Sequence, residues 1–149
     1  MIALACDHAA LEMKQMIKDL LDEMGLSYRD FGTDTPDSCD YPVFAARAAR
    51  AVASGECDRG IVICGTGIGM SIAANKVPGI RCALCGDPYS AELTRRHNDS
   101  NMLAMGARVI GIEVARRIAQ VWLTTEFEGG RHARRVGLIT RIEQGEDLG

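Results

Sequence analysis

The sequence lacks a long hydrophobic run, a strong net charge and any repeated or low-complexity segment. No apolar stretch approaches the roughly 20 residues that a membrane-spanning helix needs. The formal net charge of the 149 residues is −3, so no overall basic field exists to hold nucleic acid. The first residues, Met1–His8, lack the basic region of a secretory signal. We therefore expect one domain, residues 1–149, located in the cytoplasm and binding neither membranes nor nucleic acid.

Hydrophobic residues make up 47% of the chain and charged residues 25%, which excludes general disorder. A chain this large and apolar needs no disulfide framework, so its six cysteines are expected to be free thiols. Cys82 and Cys85 form a CxxC motif inside an apolar run that we interpret as a strand. Residues three apart in a strand face opposite sides, and no second pair stands at metal spacing. We therefore predict neither a redox motif nor a metal site.

Short apolar runs alternate with longer amphipathic stretches along the chain. The runs predict five strands: Ile2–Ala5, Ser27–Phe31, Gly60–Cys64, Ile80–Cys85 and Met102–Met105. The stretches predict six helices: Ala9–Met24, Asp40–Ala53, a short one ending near Asn75, Asp87–His97, Gly111–Thr124 and His132–Gln144. Parallel strands need crossover connections, which the helices supply. The expected fold is a Rossmann-like, three-layer α/β/α sandwich with a five-stranded parallel sheet and a C-terminal helix.

The strongest local signal is a loop with three alternating glycines, Gly65, Gly67 and Gly69, between the third strand and a helix. Ligands of parallel sheets bind beyond the carboxyl ends of the strands, and N–H groups at such a turn suit an anion. No Lys follows as in a P-loop, and the third glycine comes one residue too early for the dinucleotide fingerprint. A tight turn without a ligand is the alternative interpretation.

Titratable residues stand at two of these strand ends. Cys64 opens the glycine loop, where a thiol gains thiolate character, although most free cysteines are inert and buried. Asp7 and His8 end the first strand and could contact a hydroxyl or an anion, although Asp7 could equally cap a helix. Gly106–Arg108 follows the fifth strand. These residues are the candidates for chemistry.

Two arginines in the last predicted helix complete the candidates. Arg131 and Arg135 are four residues apart and share one helix face, where two guanidinium groups suit a phosphate. A solvated basic face is the alternative. Two functions follow from the residues: an enzyme acting on a small phosphorylated metabolite with Cys64 as base or nucleophile, or a non-catalytic phosphate-binding module.

Six short motifs resemble those of one enzyme family, ribose-5-phosphate isomerase of type B and the related isomerases of allose and galactose 6-phosphate. The motifs stand in the family's order along essentially the full length: Cys6–His8, Asp40–Pro42, Ile63–Gly69, Ser71–Lys76, Arg96–Asp99 and Gly129–His132. The resemblance implies interconversion of ribose 5-phosphate and ribulose 5-phosphate without a metal or organic cofactor. Allose 6-phosphate and galactose 6-phosphate are the alternative substrates, and the run Glu128–His132 favours the pentose.

The resemblance also implies the roles of individual residues. Cys64 is the base, as in the cysteine class of the family, since Ala73 and Ala74 stand where other members carry an acid. Thr66 relays a hydroxyl proton, and His97 with Asp7 opens the furanose ring. The enediolate is stabilised by the backbone of Gly65, Thr66, Gly67, Ile68 and Gly69. The sugar is contacted by Asn98 and Tyr41, and the phosphate is bound by His8, Arg108, Arg131 and Arg135.

The position of His97 predicts an assembly. The helix Asp87–His97 starts near the carboxyl edge of the sheet and returns the chain to the opposite edge. About eleven residues at roughly 1.5 Å each place His97 about 16 Å from Asp87 at the start of the helix. His97 can then hardly reach Cys64 of its own chain. We expect a homodimer with shared active sites, alone or within a tetramer.

Overall fold

The computed structural model describes residues 1–149 as alternating strands and helices. The strands are β1 (Ile2–Cys6), β2 (Tyr28–Asp30), β3 (Arg59–Cys64), β4 (Cys82–Leu84) and β5 (Met102–Gly106). The helices are α1 (Leu11–Glu23), α2 (Tyr41–Ala53), α3 (Ile68–Ala74), α4 (Pro88–Asn98), α5 (Ile112–Thr124) and α6 (Arg131–Glu143). No helix has both the length and the apolar character needed to cross a membrane.

The five strands form one parallel sheet in the order β2-β1-β3-β5-β4. The three inner strands are almost fully buried, whereas the two edge strands have only three residues each and are partly exposed. Cys6 is aligned with Ile63, and Cys64 with Gly106, so the inner strands end together. The residues that follow them therefore meet at the carboxyl edge.

The two faces of the sheet carry side chains of different size. On one face, large residues such as Leu4, Ile63 and Leu103 pack against α1, α4 and α5. On the other face, small residues such as Ala3 and Ala104 pack against the alanine-rich α2 and against α3. The three-layer α/β/α fold with a C-terminal helix is thus confirmed, and α6 packs on α4.

The predicted fourth strand is too long at both ends. The N–H of Ile80 donates to the carbonyl of Val77, so the chain is still in a turn at that residue. Cys82 packs against the core on the α2 face and Cys85 belongs to the core on the α5 face, as the strand interpretation predicted. Burial raises the pKa of Cys82 to about 12 and that of Cys85 to about 11. At these pKa values both thiols are protonated at neutral pH.

Lys14 is buried, although a lysine in an amphipathic helix normally lies on the polar, solvent-exposed face. Only 4% of its side chain is exposed, and its Nζ lies 2.8 Å from both Asp30 Oδ2 and Asp34 Oδ1. It also donates to the carbonyl of Thr33 at 2.6 Å. Burial alone would lower the pKa of Lys14, but the hydrogen bonds to the two aspartates outweigh it and raise the pKa. Lys14 therefore anchors the segment that leads from β2 towards α2.

Candidate active site

The residues after β1, β3 and β5 meet at the carboxyl edge of the sheet, as predicted. The N–H of Asp7 donates to the carbonyl of Ile63, and the N–H of Ala107 donates to that of Cys64 at 2.9 Å. The N–H of Arg108 donates to the carbonyl of Gly65, also at 2.9 Å. We call Asp7, His8, Tyr41, Cys64, the glycine loop Gly65–Gly69 and Arg108 the carboxyl-edge cluster.

Cys64 is held at the centre of the carboxyl-edge cluster. Its side chain is almost fully buried, and Sγ accepts the backbone N–H of Gly67 at 3.1 Å. Gly67 has a φ of +78°, and a Cβ there would lie 2.7 Å from the carbonyl carbon of Met105. Only glycine fits this conformation and space. The loop thus places one N–H donor on the sulfur.

The remaining part of the glycine loop is also fixed by short contacts. The Oγ1 of Thr66 accepts the N–H of Ile68 at 3.3 Å, where α3 begins. The ring of Tyr41 lies over Gly69, since a Cβ on Gly69 would be 2.6 Å from two ring carbons. Tyr41 is the first residue of α2 and is 40% exposed. One side of its ring is therefore available beside the loop.

Asp7 and His8 are placed by different partners. Asp7 is buried, and its Oδ1 accepts the N–H of Ala9 at 2.9 Å, which closes the turn into α1. His8 Nδ1 accepts the N–H of Cys39 at 3.3 Å, and Cys39 Sγ lies 3.6 Å away. An acceptor at Nδ1 leaves the proton of a neutral imidazole on Nε2, where it can be donated. Nothing in the sequence motifs indicated Cys39, because 31 residues separate it from His8.

Arg108 extends over the glycine loop from the end of β5. A Cβ on Gly65 would lie 3.5 Å from Arg108 Cδ and 3.6 Å from Nη1. The side chain is exposed. The guanidinium therefore adds a positive charge at the rim of the carboxyl-edge cluster.

His97 and Asn98 lie at the other edge of the sheet. Asp87 caps the start of α4 by accepting the N–H of Ser90 at 2.7 Å. At the end of α4, the carbonyl of Asn98 accepts from Nε of Arg81, a residue that directly precedes β4. The helix thus runs from the carboxyl edge to the amino edge, and the predicted separation of His97 from Cys64 within one chain is confirmed.

His97 is part of a second group, which we call the helix-end cluster: His97, Asn98, Glu128, Arg131, His132 and Arg135. The rings of His97 and His132 are stacked, with centroids 4.2 Å apart and planes 9° from parallel. Glu128 Oε2 lies 3.4 Å from Nε2 of His132. Burial lowers the pKa of His132, and the nearby charges of His97, Arg131 and Arg135 lower it further. The sequence had shown His132 only as part of a motif, and no spacing rule pointed to this stack.

Arg131 and Arg135 occupy the first turns of α6 and are exposed. Their common helix face is confirmed by the continuous helix from Arg131 to Glu143. They accompany His97 and not Cys64 of the same chain. The predicted site residues are thus divided between two edges of the molecule.

Comparison with known proteins finds similar sequences over nearly the whole chain. The model of the Ribose/Galactose Isomerase family matches residues 2–139. The chain is 52% identical to ribose-5-phosphate isomerase B of Escherichia coli over 96% of each chain. It is 47% identical to D-erythrulose-4-phosphate isomerase of Pectobacterium atrosepticum, over 97% of this chain and 96% of the relative.

A solved structure extends the agreement to the fold. Ribose-5-phosphate isomerase B of Clostridium thermocellum superposes with a TM-score of 0.95, at 54% identity and over 97% of each chain. Together with the family match over nearly the whole sequence, these similarities confirm the resemblance that the six motifs indicated. The chain belongs to the ribose/galactose isomerase family.

Proposed function

We propose that the protein interconverts D-ribose 5-phosphate and D-ribulose 5-phosphate through an enediolate. The observation that carries the proposal is the position of Cys64, whose Sγ accepts the N–H of Gly67 inside a glycine loop at the carboxyl edge of the sheet. This places a sulfur base and backbone N–H donors side by side. The relatives from E. coli and C. thermocellum, both named ribose-5-phosphate isomerase B, support the substrate.

The chemical step transfers one proton between neighbouring carbons. The Cys64 thiolate removes the C2 proton of the open-chain aldose, and the electron pair of that bond forms the enediolate. The thiol then returns a proton to C1, while Thr66 relays the hydroxyl proton. The charge that develops on oxygen faces the backbone N–H groups between Gly65 and Gly69, of which those of Gly67 and Ile68 donate to Cys64 Sγ and Thr66 Oγ1 in this structure. Such preorganised donors are worth about 3–4 kcal/mol each in related oxyanion sites.

Ring opening requires the helix-end cluster. In this proposal His97, with Asp7, moves the proton that opens the furanose, and Tyr41 and Asn98 contact the sugar. Because His97 and Cys64 lie at opposite edges of one chain, a second copy supplies His97 and Asn98. A two-fold homodimer brings two such shared sites together, and a tetramer would pair two dimers.

The phosphate is bound by charges from both clusters. His8 and Arg108 belong to the carboxyl-edge cluster, whereas Arg131 and Arg135 come from the helix-end cluster of the partner. His8 donates from Nε2, since Nδ1 accepts the Cys39 N–H. Charge-assisted hydrogen bonds to phosphate are about twice as strong as neutral ones, so the phosphorylated end is the part of the substrate that anchors binding.

One relative is named for a shorter sugar than the pentose proposed here. The similar P. atrosepticum protein is named for a tetrulose phosphate. Steady-state kinetics with the phosphates of ribose, allose, galactose and erythrulose, measured side by side, test the length of the sugar. We expect the highest kcat/KM for ribose 5-phosphate. A higher value for another substrate would reassign the substrate within the family.

A second measurement tests the chemistry itself. Turnover of ribose 5-phosphate in D₂O should place solvent deuterium on C1 of the product, because the proton on the Cys64 thiol exchanges with solvent. Product that stays free of deuterium after many reversible turnovers would contradict the enediolate route. Binding of the sugar phosphate without turnover would favour the non-catalytic module.

The cytoplasmic location stays a prediction.

A further inference from the structure

The helix-end cluster contains three side chains that carry metal-ligating atoms. His97, Glu128 and His132 each offer one ligand atom, and these three atoms lie within 4.8 Å of one another. They come from the end of α4, the segment before α6 and the first turn of α6. Two imidazoles and one carboxylate form a ligand set that proteins use for Zn²⁺ with an open fourth position. We infer that this cluster is an inhibitory site for Zn²⁺ and similar borderline divalent cations.

The distance between two of the ligands already fits the metal. Zinc bonds to nitrogen and oxygen are about 2.0–2.2 Å long, so two ligands at a tetrahedral angle lie roughly 3.4 Å apart. Glu128 Oε2 and His132 Nε2 are 3.4 Å apart. The third ligand must move, because the nitrogen lone pairs of two stacked rings lie in separate parallel planes and do not converge on one point. His97 is the more exposed of the two histidines, and a rotation of its ring brings its nitrogen towards the other ligands.

Backbone hydrogen bonds hold Glu128 and His132 beside the end of α4 before any metal binds. The N–H of Glu128 donates to the carbonyl of Arg96, which fixes Glu128 beside the end of α4. The N–H of His132 donates to the carbonyl of Gly129, and the His132 side chain is buried. Arg96 lies 3.8 Å from Glu128 Oε1, a long contact that leaves Oε2 directed to His132.

The consequence for activity rests on the proposed function. A metal ion on His97 occupies the imidazole lone pair that the proposal assigns to opening the sugar ring. Zn²⁺ should therefore inhibit the isomerase without touching the thiol at the carboxyl edge, and a chelator should restore activity. Binding itself does not depend on that assignment and is measured separately.

Co²⁺ titration of the full-length protein, stripped of metals, measures binding by visible absorption. We expect saturation at one ion per chain, displacement by Zn²⁺ and no thiolate-to-metal charge-transfer band in the near ultraviolet. A charge-transfer band would place the metal on cysteine, and an absence of binding at millimolar metal would remove the site. Either result overturns the inference.

The variants Glu128→Gln and His132→Gln should weaken Co²⁺ binding by at least about 10-fold, as the loss of groups that support a metal commonly does. Glu92→Gln is the matched control, because Glu92 also pairs with Arg96, at 2.7 Å, but lies outside the cluster. Equal weakening by Glu92→Gln and Glu128→Gln would show a general charge effect and would overturn the site. Binding without inhibition would support the site and contradict the role of His97 in the proposed function.

Discussion

The carboxyl-edge cluster and the helix-end cluster are built in different ways. Around Cys64, backbone groups provide the fixed contacts. Neighbouring atoms leave no space for a Cβ at Gly67 or Gly69. Around His97, side chains at the ends of two helices provide the contacts, through a ring stack and a carboxylate. The first arrangement is fixed by the sheet, whereas the second depends on how α6 packs on α4.

The difference shows how the two parts of a site can be separated. Strands that end at the same edge hold the loop after them in a fixed position. Such a loop suits a reaction that needs an accurately placed base and oxyanion donors. The helix α4 returns the chain to the opposite edge, so His97 near its end lies far from that loop. The charges at the helix end are then available to a second copy. Each of the following experiments tests one side of this division.

The largest expected effect comes from the base. Cys64→Ala should lower kcat by roughly 10²-fold or more, the usual contribution of a positioned general base. Cys82→Ala serves as the control, since the pKa of that thiol is about 12 and its side chain lies outside both clusters. Circular dichroism checks that both variants fold. Near wild-type turnover of Cys64→Ala would remove sulfur from the mechanism.

Phosphate binding should respond next. Arg131→Ala or Arg135→Ala removes charge-assisted hydrogen bonds worth about 1.5–3 kcal/mol, which corresponds to a rise in KM of roughly 10- to 100-fold. Arg141→Ala in the last turn of the same helix is the control, because that side chain is paired with Glu146. An unchanged KM in both test variants would show that the two arginines are only surface charge.

Complementation between two inactive variants tests whether the clusters meet across subunits. Cys64→Ala and His97→Asn are each expected to be nearly inactive. When they are denatured together and refolded, half of the dimers are mixed and each mixed dimer has one intact site of two, so activity should return to about a quarter of wild type by random pairing.

A mixture of Cys64→Ala with Thr66→Ala is the control for this experiment. Both changes lie in the carboxyl-edge cluster, so every site of a mixed dimer carries one defect. This mixture should show no more than the average activity of the two variants measured alone. Mixed dimers of Cys64→Ala and His97→Asn that recover no activity would place the whole site within one subunit.

The smallest effect concerns the segment between β2 and α2, which carries Cys39 to His8. Burial alone would raise the pKa of Asp30, but hydrogen bonds from Lys14 and Lys18 outweigh it and lower the pKa below 3.8. The ion pairs of Asp30 therefore stabilise the fold above pH 3.8, and this stabilisation is lost as the pH falls through the lower folded value. Asp30→Asn should reduce the free energy of unfolding by about 1–3 kcal/mol at pH 7 and by less in acid.

Asp34→Asn is the matched control in chemical denaturation. Asp34 also pairs with Lys14, but 79% of its side chain is exposed, so its loss should cost less than about 1 kcal/mol. Equal losses for the two variants would show that burial of Asp30 has no influence on the strength of its ion pairs.

Local patterns in the sequence predicted the strands and helices to within a few residues, because hydrophobic periodicity and glycine positions act locally. They predicted the fold, since short connections leave few topologies for alternating strands and helices. They also predicted the carboxyl-edge candidates Asp7, His8 and Cys64, because parallel strands end at one edge. The motifs identified the family, and that identification is confirmed.

Other features depend on contacts between distant parts of the chain. The burial of Lys14 follows from Asp30 at the end of β2 and Asp34 beyond it, and the periodicity of α1 contains no sign of these partners. The contact between Cys39 and His8, and the stack of His97 on His132, join residues 31 and 35 positions apart. No local pattern encodes such contacts, because they arise only when loops and helices pack on the finished sheet. The sequence by itself determined the fold and the sheet edge at which Asp7, His8 and Cys64 meet, because periodicity and strand direction act locally. The tertiary structure decided which charged groups surround each cluster, because those contacts join distant segments.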